Sequence, residues 1–151
     1  MADVVAKEVR SRMMSGIRGK DTLPEMLVRR ALHALGFRYR LHAKALPGKP
    51  DIVLRKYRAA IFVQGCFWHG HDCSLFKLPS TRPEFWRSKI RGNVMRDARN
   101  HRALILAGWR TLDIWECSLK GRSRKTPEQV ALAAARWLSS NRRGGSIRGS
   151  A

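Results

Sequence analysis

Hydrophobic positions along the chain switch between two periods. From Leu23 they recur every three or four residues, at Met26, Leu27, Ala31 and Leu35, which predicts a helix with one apolar side, ended by Gly36. Thr22 stands where a cap belongs, and Glu25 stands where it completes a capping box. Phe37, Tyr39 and Leu41 then alternate with Arg38, Arg40 and His42, a half-exposed strand. The turn LPGKPD leads into a second strand, DIVLR, and the more continuously apolar YRAAIFVQG predicts a deeply buried third. A long helix follows over STRPEFWRSKIRGNVMRDARNHRALILAG, with Thr81 as cap, Glu84 after it and Gly108 as stop. Trp86, Lys89, Asn93 and Asp97 share one face of it, and Ile90, Val94 and Ala98 line an apolar neighbouring face. WRTLDIW is a fourth strand, with Leu112 and Ile114 alternating inward. Thr126, Pro127 and Gln129 open a last helix to about Leu138, and SSNRRGGSIRGSA reads as a disordered basic tail. The order predicts an α/β fold, a mixed central sheet flanked by helices. Ahead of it, Met13, Met14 and Ile17 form a short apolar ridge in a basic arm, either docked on the core or inserted into DNA. The chain thus divides into an arm at 1–21, a main domain at 22–140 and a tail at 141–151.

Charge changes the picture from a fold to a partner. Lys and Arg total 31 against 11 Asp and Glu, a formal +20 over 151 residues spread along the chain, which points to a polyanion and most simply to nucleic acid. No apolar run approaches the roughly 20 residues of a membrane span, and the N-terminus has no signal-like apolar stretch. A cytoplasmic protein is expected, one in which the three cysteines serve a metal better than disulfides.

The segment GCFWHGHDC, with Cys117 on the later IWEC, supplies the means. Cys66, His71, Cys73 and Cys117 make a Cys3His set suited to tetrahedral zinc, although the spacing also admits His69 in place of His71. Phe67 and Trp68 project from the same loop, to pack over the metal or to contact something flat. If His71 is the ligand, His69 is held beside the metal with its imidazole pre-oriented for acid–base work. Asp51 at the head of one strand and a backbone carbonyl from Phe62 to Gln64 on its neighbour make a hard-oxygen site for magnesium, with Glu25 as an outer acceptor. Each of these carboxylates has a plainer reading, Asp51 as a turn residue and Glu25 as part of a cap.

Taken together, LPGKPDIV, IFVQGCFWHGHDC, FKLPSTRPEFWRSKIRGNVMRD and GWRTLDIWEC resemble the very-short-patch-repair (Vsr-type) DNA mismatch endonucleases, over roughly residues 5 to 140. The resemblance implies a restriction-endonuclease-like α/β fold with a structural zinc site. It implies a magnesium-dependent nick 5′ of the thymine in a T:G mismatch, a lesion of 5-methylcytosine deamination. By the same resemblance Asp51 and the carbonyl of Val63 bind magnesium, His69 is the base, and Cys66, His71, Cys73 and Cys117 hold zinc. Phe67, Trp68 and Trp86 would enter the base stack, Met14 would approach from the opposite groove, and Lys89 and Asn93 would touch DNA beside Trp86. The implied partners are mismatched double-stranded DNA, mismatch-repair proteins and a repair polymerase, met by a monomer.

One position departs. A branch of the family has a second active-site histidine directly before the glycine of the zinc loop, where this chain has Gln64. Glutamine can hydrogen-bond a phosphate or a water but cannot carry a proton's charge. Two alternatives therefore stand beside the repair nuclease: a restriction or defence nuclease of the same fold, and a zinc-stabilised protein that binds distorted DNA with weak or no cleavage.

Overall fold

A computed structural model describes residues 21–150. The ridge of Met13, Met14 and Ile17 lies outside the described residues. In chain order the elements are α1 (Leu23–Ala34), β1 (Arg40–Leu41), β2 (Ile52–Leu54), β3 (Ala59–Gln64), α2 (Pro83–Leu106), β4 (Arg110–Trp115), α3 (Pro127–Ser139) and β5 (Gly144–Ile147). The strands form one mixed sheet in the order β1-β2-β3-β4-β5. β1, β2 and β3 are an antiparallel meander, whereas β4 and β5 each join in parallel after a helical crossover.

Alternation along β3 and β4 divides the side chains between two layers. Ile61, Leu112 and Ile114 join Val28 and Leu32 of α1 and Val130, Ala134 and Leu138 of α3 in the main core. On the opposite face Ala60 and Phe62 meet Leu104 of α2 in a smaller cluster, with Leu46 and Trp109 at its margin. Arg110 ties the base of this architecture together. Its guanidinium donates to the carbonyls of Tyr57, Trp137, Leu138, Ser140 and Arg142 and lies over the Trp137 ring, so it satisfies the last orphan carbonyls of α3.

Several expectations need correction. The inward ridge of α1 is Glu25, Val28 and Leu32, while Leu23 is 71% exposed and Leu35 46%. The apolar count misplaced this ridge because its first member is a carboxylate. α2 is capped by Arg82 in a left-handed conformation with no side-chain cap, not by Thr81, since Pro83 takes the first helical position. Along α2 it is Ile90 and Leu104 that are buried; Val94 and Ala98 are exposed, although Val94 lies against Gly70 of the loop after β3. The supposed tail carries β5, which adds to the free edge of β4 and extends the sheet past residue 140. Only Ile147 of that strand is buried, so main-chain pairing holds it more than apolar content does. Its glycines serve closeness: a Cβ on Gly145 would stand 2.5 Å from Nε1 of Trp137.

The first strand is shorter than alternation suggests, since only Arg40 and Leu41 pair with β2. Phe37 and Tyr39 instead pack on the core, with the Tyr39 hydroxyl donating to the carbonyl of Arg29 at 2.7 Å. Thr126, Pro127 and Gln129 open α3 as expected, and the structure adds a full capping box, with the Thr126 hydroxyl and the Gln129 carboxamide each accepting from the other's backbone N–H. At α1 Thr22 caps, accepting from the N–H of Glu25, but Glu25 turns to the N–H of Asp21 and does not close the box on Thr22. Among the described residues no helix is long and apolar enough to cross a membrane.

Candidate active site and metal centre

The crossover from β3 to β4 begins with the loop 65–73, and two clusters grow from it. In the first, one donor atom from each of Cys66, His71, Cys73 and Cys117 lies within 4.8 Å of all the others. Cys66 leaves β3, and Cys117 sits in the helical turn Glu116–Ser118 that follows β4, so the parallel pairing of these strands brings the cysteines together. His71 turns Nδ1 inward, 3.5 Å from Sγ of Cys66 and 3.6 Å from Sγ of Cys117, with its ring stacked on Trp115 at 4.0 Å between centroids. Backbone N–H groups point at sulfur: that of Cys117 donates to Cys66 Sγ and that of Gly149 to Cys117 Sγ, both at 3.3 Å. None of the three cysteines is in a disulfide. Burial pushes the Cys66 thiol far above its ordinary range, and the neighbouring Cys73 and Cys117 thiols add to the effect. This cluster has the chemistry of a metal site.

After β5 the chain closes over that site. Arg148 donates from Nη1 to Asp72 Oδ1 at 2.8 Å and from Nη2 to the Asp72 carbonyl at 3.0 Å. A Cβ on Gly149 would stand 2.5 Å from the carbonyl oxygen of Cys117, so glycine is required for this approach.

The second cluster lines a cleft of about 1030 Å³ between the start of α1, the end of β3 and the middle of α2. Asp51 enters it just before β2, and its Oδ2 accepts from the Val63 N–H at 2.8 Å, which sets Val63 directly beside the carboxylate. Burial pushes the Asp51 pKa up to about 6, an effect opposed by that hydrogen bond and reinforced by the nearby Glu25 carboxylate. Glu25 is itself buried, with His42 Nε2 at 2.7 Å and Arg29 Nη1 at 3.1 Å. His42 was not singled out by the sequence reading, because its tie to Glu25 spans 17 positions.

His69 stands apart from the Cys/His cluster. Its Nδ1 lies 2.5 Å from Asp97 Oδ2 on α2. The carboxylate fixes the proton on Nδ1, so in the neutral ring Nε2 is the acceptor. This disposes of His69 as an alternative to His71 in the metal cluster. Asp97 had been placed on the face of Trp86, Lys89 and Asn93 without a role, and its tie to His69, 28 positions away, supplies one. Gln64 lines the same cleft, with Nε2 donating to Asp113 Oδ1 at 3.3 Å.

Beside the cleft the aromatics form a group of their own. Phe67 lies 5.1 Å from Trp68, 5.6 Å from Trp86 and 5.8 Å from Phe76 between ring centroids. All are partly exposed, and the ring over the Cys/His cluster is Trp115, so Phe67 and Trp68 are not that cluster's cover. Asn93 donates to the Trp68 carbonyl at 2.9 Å and so holds the loop to α2, while Lys89, on the same helix, is partly exposed.

Comparison with known proteins agrees with this geometry. The family described as DNA mismatch endonuclease Vsr matches residues 2–75. The chain is 45% identical over 138 residues to the DNA mismatch endonuclease Vsr of Escherichia coli strain K12, covering 91% of this chain and 88% of that protein. It is 47% identical over 119 residues to the type II nicking enzyme V.XorIIP of Xanthomonas oryzae pv. oryzae, covering 79% and 88%. Against the type II nicking enzyme V.NmeAIP of Neisseria meningitidis serogroup A it is 43% identical over 123 residues, covering 82% and 88%. With identity of this order sustained across nearly all of the fold, the chain belongs to the Vsr family of DNA mismatch and nicking endonucleases.

Proposed function

We propose that this endonuclease, built on a restriction-endonuclease-like sheet, nicks DNA on the 5′ side of the thymine in T:G mismatches left by 5-methylcytosine deamination. It acts as a monomer, with catalytic magnesium and structural zinc. The observation that carries the reading is the convergence of Asp51 and the His69–Asp97 pair in one cleft, beside the exposed aromatic group.

Asp51 and the Val63 carbonyl would hold magnesium, and the donor set fits: both donors are oxygen, and the half-buried carboxylate stands directly beside Val63. Bound there, magnesium would neutralise the phosphate being attacked. Glu25, anchored by His42 and Arg29, would accept hydrogen bonds at the edge of that site. His69 takes a proton at Nε2 from the attacking water, while Asp97 steadies the imidazolium that forms. The water oxygen bonds to phosphorus as the bond from phosphorus to the departing sugar oxygen breaks, and that oxygen takes a proton from solvent water. Cys66, His71, Cys73 and Cys117 would hold zinc, since three thiols and one imidazole in a compact, mostly buried set match that ion. Phe67, Trp68 and Trp86 would stack against bases at the mismatch, and Lys89 and Asn93 would meet the strand beside them. Met14, on the N-terminal arm, would enter from the other groove. Mismatch-repair proteins and a repair polymerase would act on the nicked product.

The names of two relatives as type II nicking enzymes favour a second reading of the biological role, in which the same nick serves a restriction–modification system with different flanking bases. The binding-only alternative is disfavoured by the intact Asp51 and His69–Asp97 set. The test incubates the protein and Mg²⁺ with end-labelled duplexes that are matched, T:G mismatched or hemimethylated. A single cut 5′ of the mismatched thymine is expected. Cutting of matched duplex with equal efficiency, or binding without cutting, would refute the proposal.

A further inference from the structure

Behind Gln64 runs a line of polar contacts that no step of the hydrolysis requires. Gln64 Nε2 donates to Asp113 Oδ1 at 3.3 Å, and the same oxygen lies 2.8 Å from His101 Nε2. His101 Nδ1 lies 2.7 Å from the backbone carbonyl of Asp97, the residue whose carboxylate holds His69. A carbonyl only accepts, so Nδ1 of His101 carries a proton, and the carboxylate at Nε2 favours a second one there. The hydrogen bond to Asp113 holds the His101 pKa above its ordinary value, against the pull of burial. Stacking on Phe62, at 4.9 Å and 26°, fixes the ring plane.

The sheet explains why these groups meet. Phe62 and Gln64 lie on the same face of β3, and Asp113 is the register partner of Phe62 on β4. α2 lays His101 across that face, one turn beyond Asp97. A carboxylate inside a strand flanked by the buried Leu112 and Ile114 is costly unless it is paired, and here its partners are an imidazole and a carboxamide.

We propose that His101 and Asp113 are a positioning pair that sets the polarity of Gln64. Asp113 accepts only, so it holds back the amide nitrogen and turns the carboxamide oxygen to the cleft, where it accepts a hydrogen bond from the attacking water. The inference rests on the endonuclease reading. It explains why Gln64 is ordered: a fixed acceptor faces the cleft, and the imidazole of His101 stands one step behind it on Asp113.

The experiment measures single-turnover nicking of a T:G duplex by Gln64→Ala, His101→Ala, Asp113→Ala and the two double variants with Gln64→Ala, together with ¹H–¹⁵N spectra of the Gln64 side-chain amide. Each of the His101 and Asp113 variants should slow nicking by about tenfold, as loss of one charge-assisted hydrogen bond would. Neither should cost anything further in the Gln64→Ala background, whereas a merely structural pair would cost the same in both. The Gln64 amide signals should move in both single variants while affinity for the mismatched duplex does not. Asp113→Asn, which keeps the size of the side chain, replaces Asp113→Ala if the latter is unfolded, with the same expected non-additivity. Fully additive losses, or unchanged rates, would overturn the pair's role. Failure of the wild-type chain to nick any duplex would sink the endonuclease reading and with it the catalytic purpose of the pair; the amide signals would still decide whether the pair orients Gln64.

Discussion

The two clusters that share the loop 65–73 are built on opposite plans. In the Cys/His cluster the donors face one another and the surroundings are mostly shut: Cys66 is fully buried, Cys117 and His71 are 4% and 7% exposed, Cys73 is half-buried, and Trp115 covers the His71 ring. In the Asp51 cleft the polar groups face a cavity large enough for a strand's phosphate and sugar. A metal whose sphere is filled by protein holds shape, while one with open positions does chemistry. On the proposed reading one cluster would order the loop and the other would stay free to meet substrate, so that substitutions in the two should fail in different ways.

The largest effect is expected in the closed cluster. Cys117→Ala should release the bound metal and lower stability by more than about 4 kcal/mol, a size reserved for loss of a structural metal or similar feature. Metal analysis and thermal unfolding check it, and a variant that keeps both its metal and its melting temperature would break the comparison. Next comes Asp51→Ala in the open cleft. It should cut nicking by roughly a thousandfold, the scale of removing a catalytic metal's charge stabilisation, and leave binding to mismatched DNA intact. Equal losses of binding and cleavage would make Asp51 structural.

Asp51 also provides an effect of opposite sign. Its pKa is about 6 in the folded protein against an ordinary 3.8, so between these values the unfolded state ionises first and the fold loses stability as pH rises. Without magnesium, Asp51→Asn should be more stable than the wild type by about 2–3 kcal/mol above pH 6, with the gain vanishing toward acid pH. Denaturant unfolding at a series of pH values measures this, and a variant less stable than wild type at neutral pH would contradict it. The smallest effect belongs to the aromatics between the clusters. Trp68→Ala or Trp86→Ala should weaken mismatch binding by roughly ten- to a hundredfold while the salt dependence of binding stays the same, because stacking and not phosphate contact is lost. A changed salt slope with unchanged affinity would remove these rings from the DNA interface.

What could be read from sequence follows the range of the interaction. The Thr22 cap and the start of α3 at Thr126 rest on contacts across three positions and are legible as such. The metal-type donors were legible because cysteine and histidine announce their chemistry by type, even though Cys117 comes from a distant strand. The inward ridge of α1 was not, because Glu25 is buried for its ties to His42 and Arg29, and hydrophobicity cannot register that reason. β5 is missed for a related cause: the glycines around it look like flexible chain, but Gly145 within the strand serves close approach to Trp137, and Gly149 just after it close approach to Cys117. The partners of His69 and Gln64 lie 28 and 49 positions away, and only the sheet and α2 bring them together.

The Cys66–Cys117 tie has a consequence for how the molecule is made. Its two ends stand 51 positions apart, and the whole of α2 lies between them. Parallel pairing of β3 with β4 must close that loop before any contact rewards it, the kind of step that makes folding slow. Donors at both ends of the loop let an ion grip them in the collapsed chain and hold the strands in reach of each other. Refolding should accordingly run faster with zinc than with a chelator, and the supply of free metal during synthesis would govern how quickly an active nuclease appears.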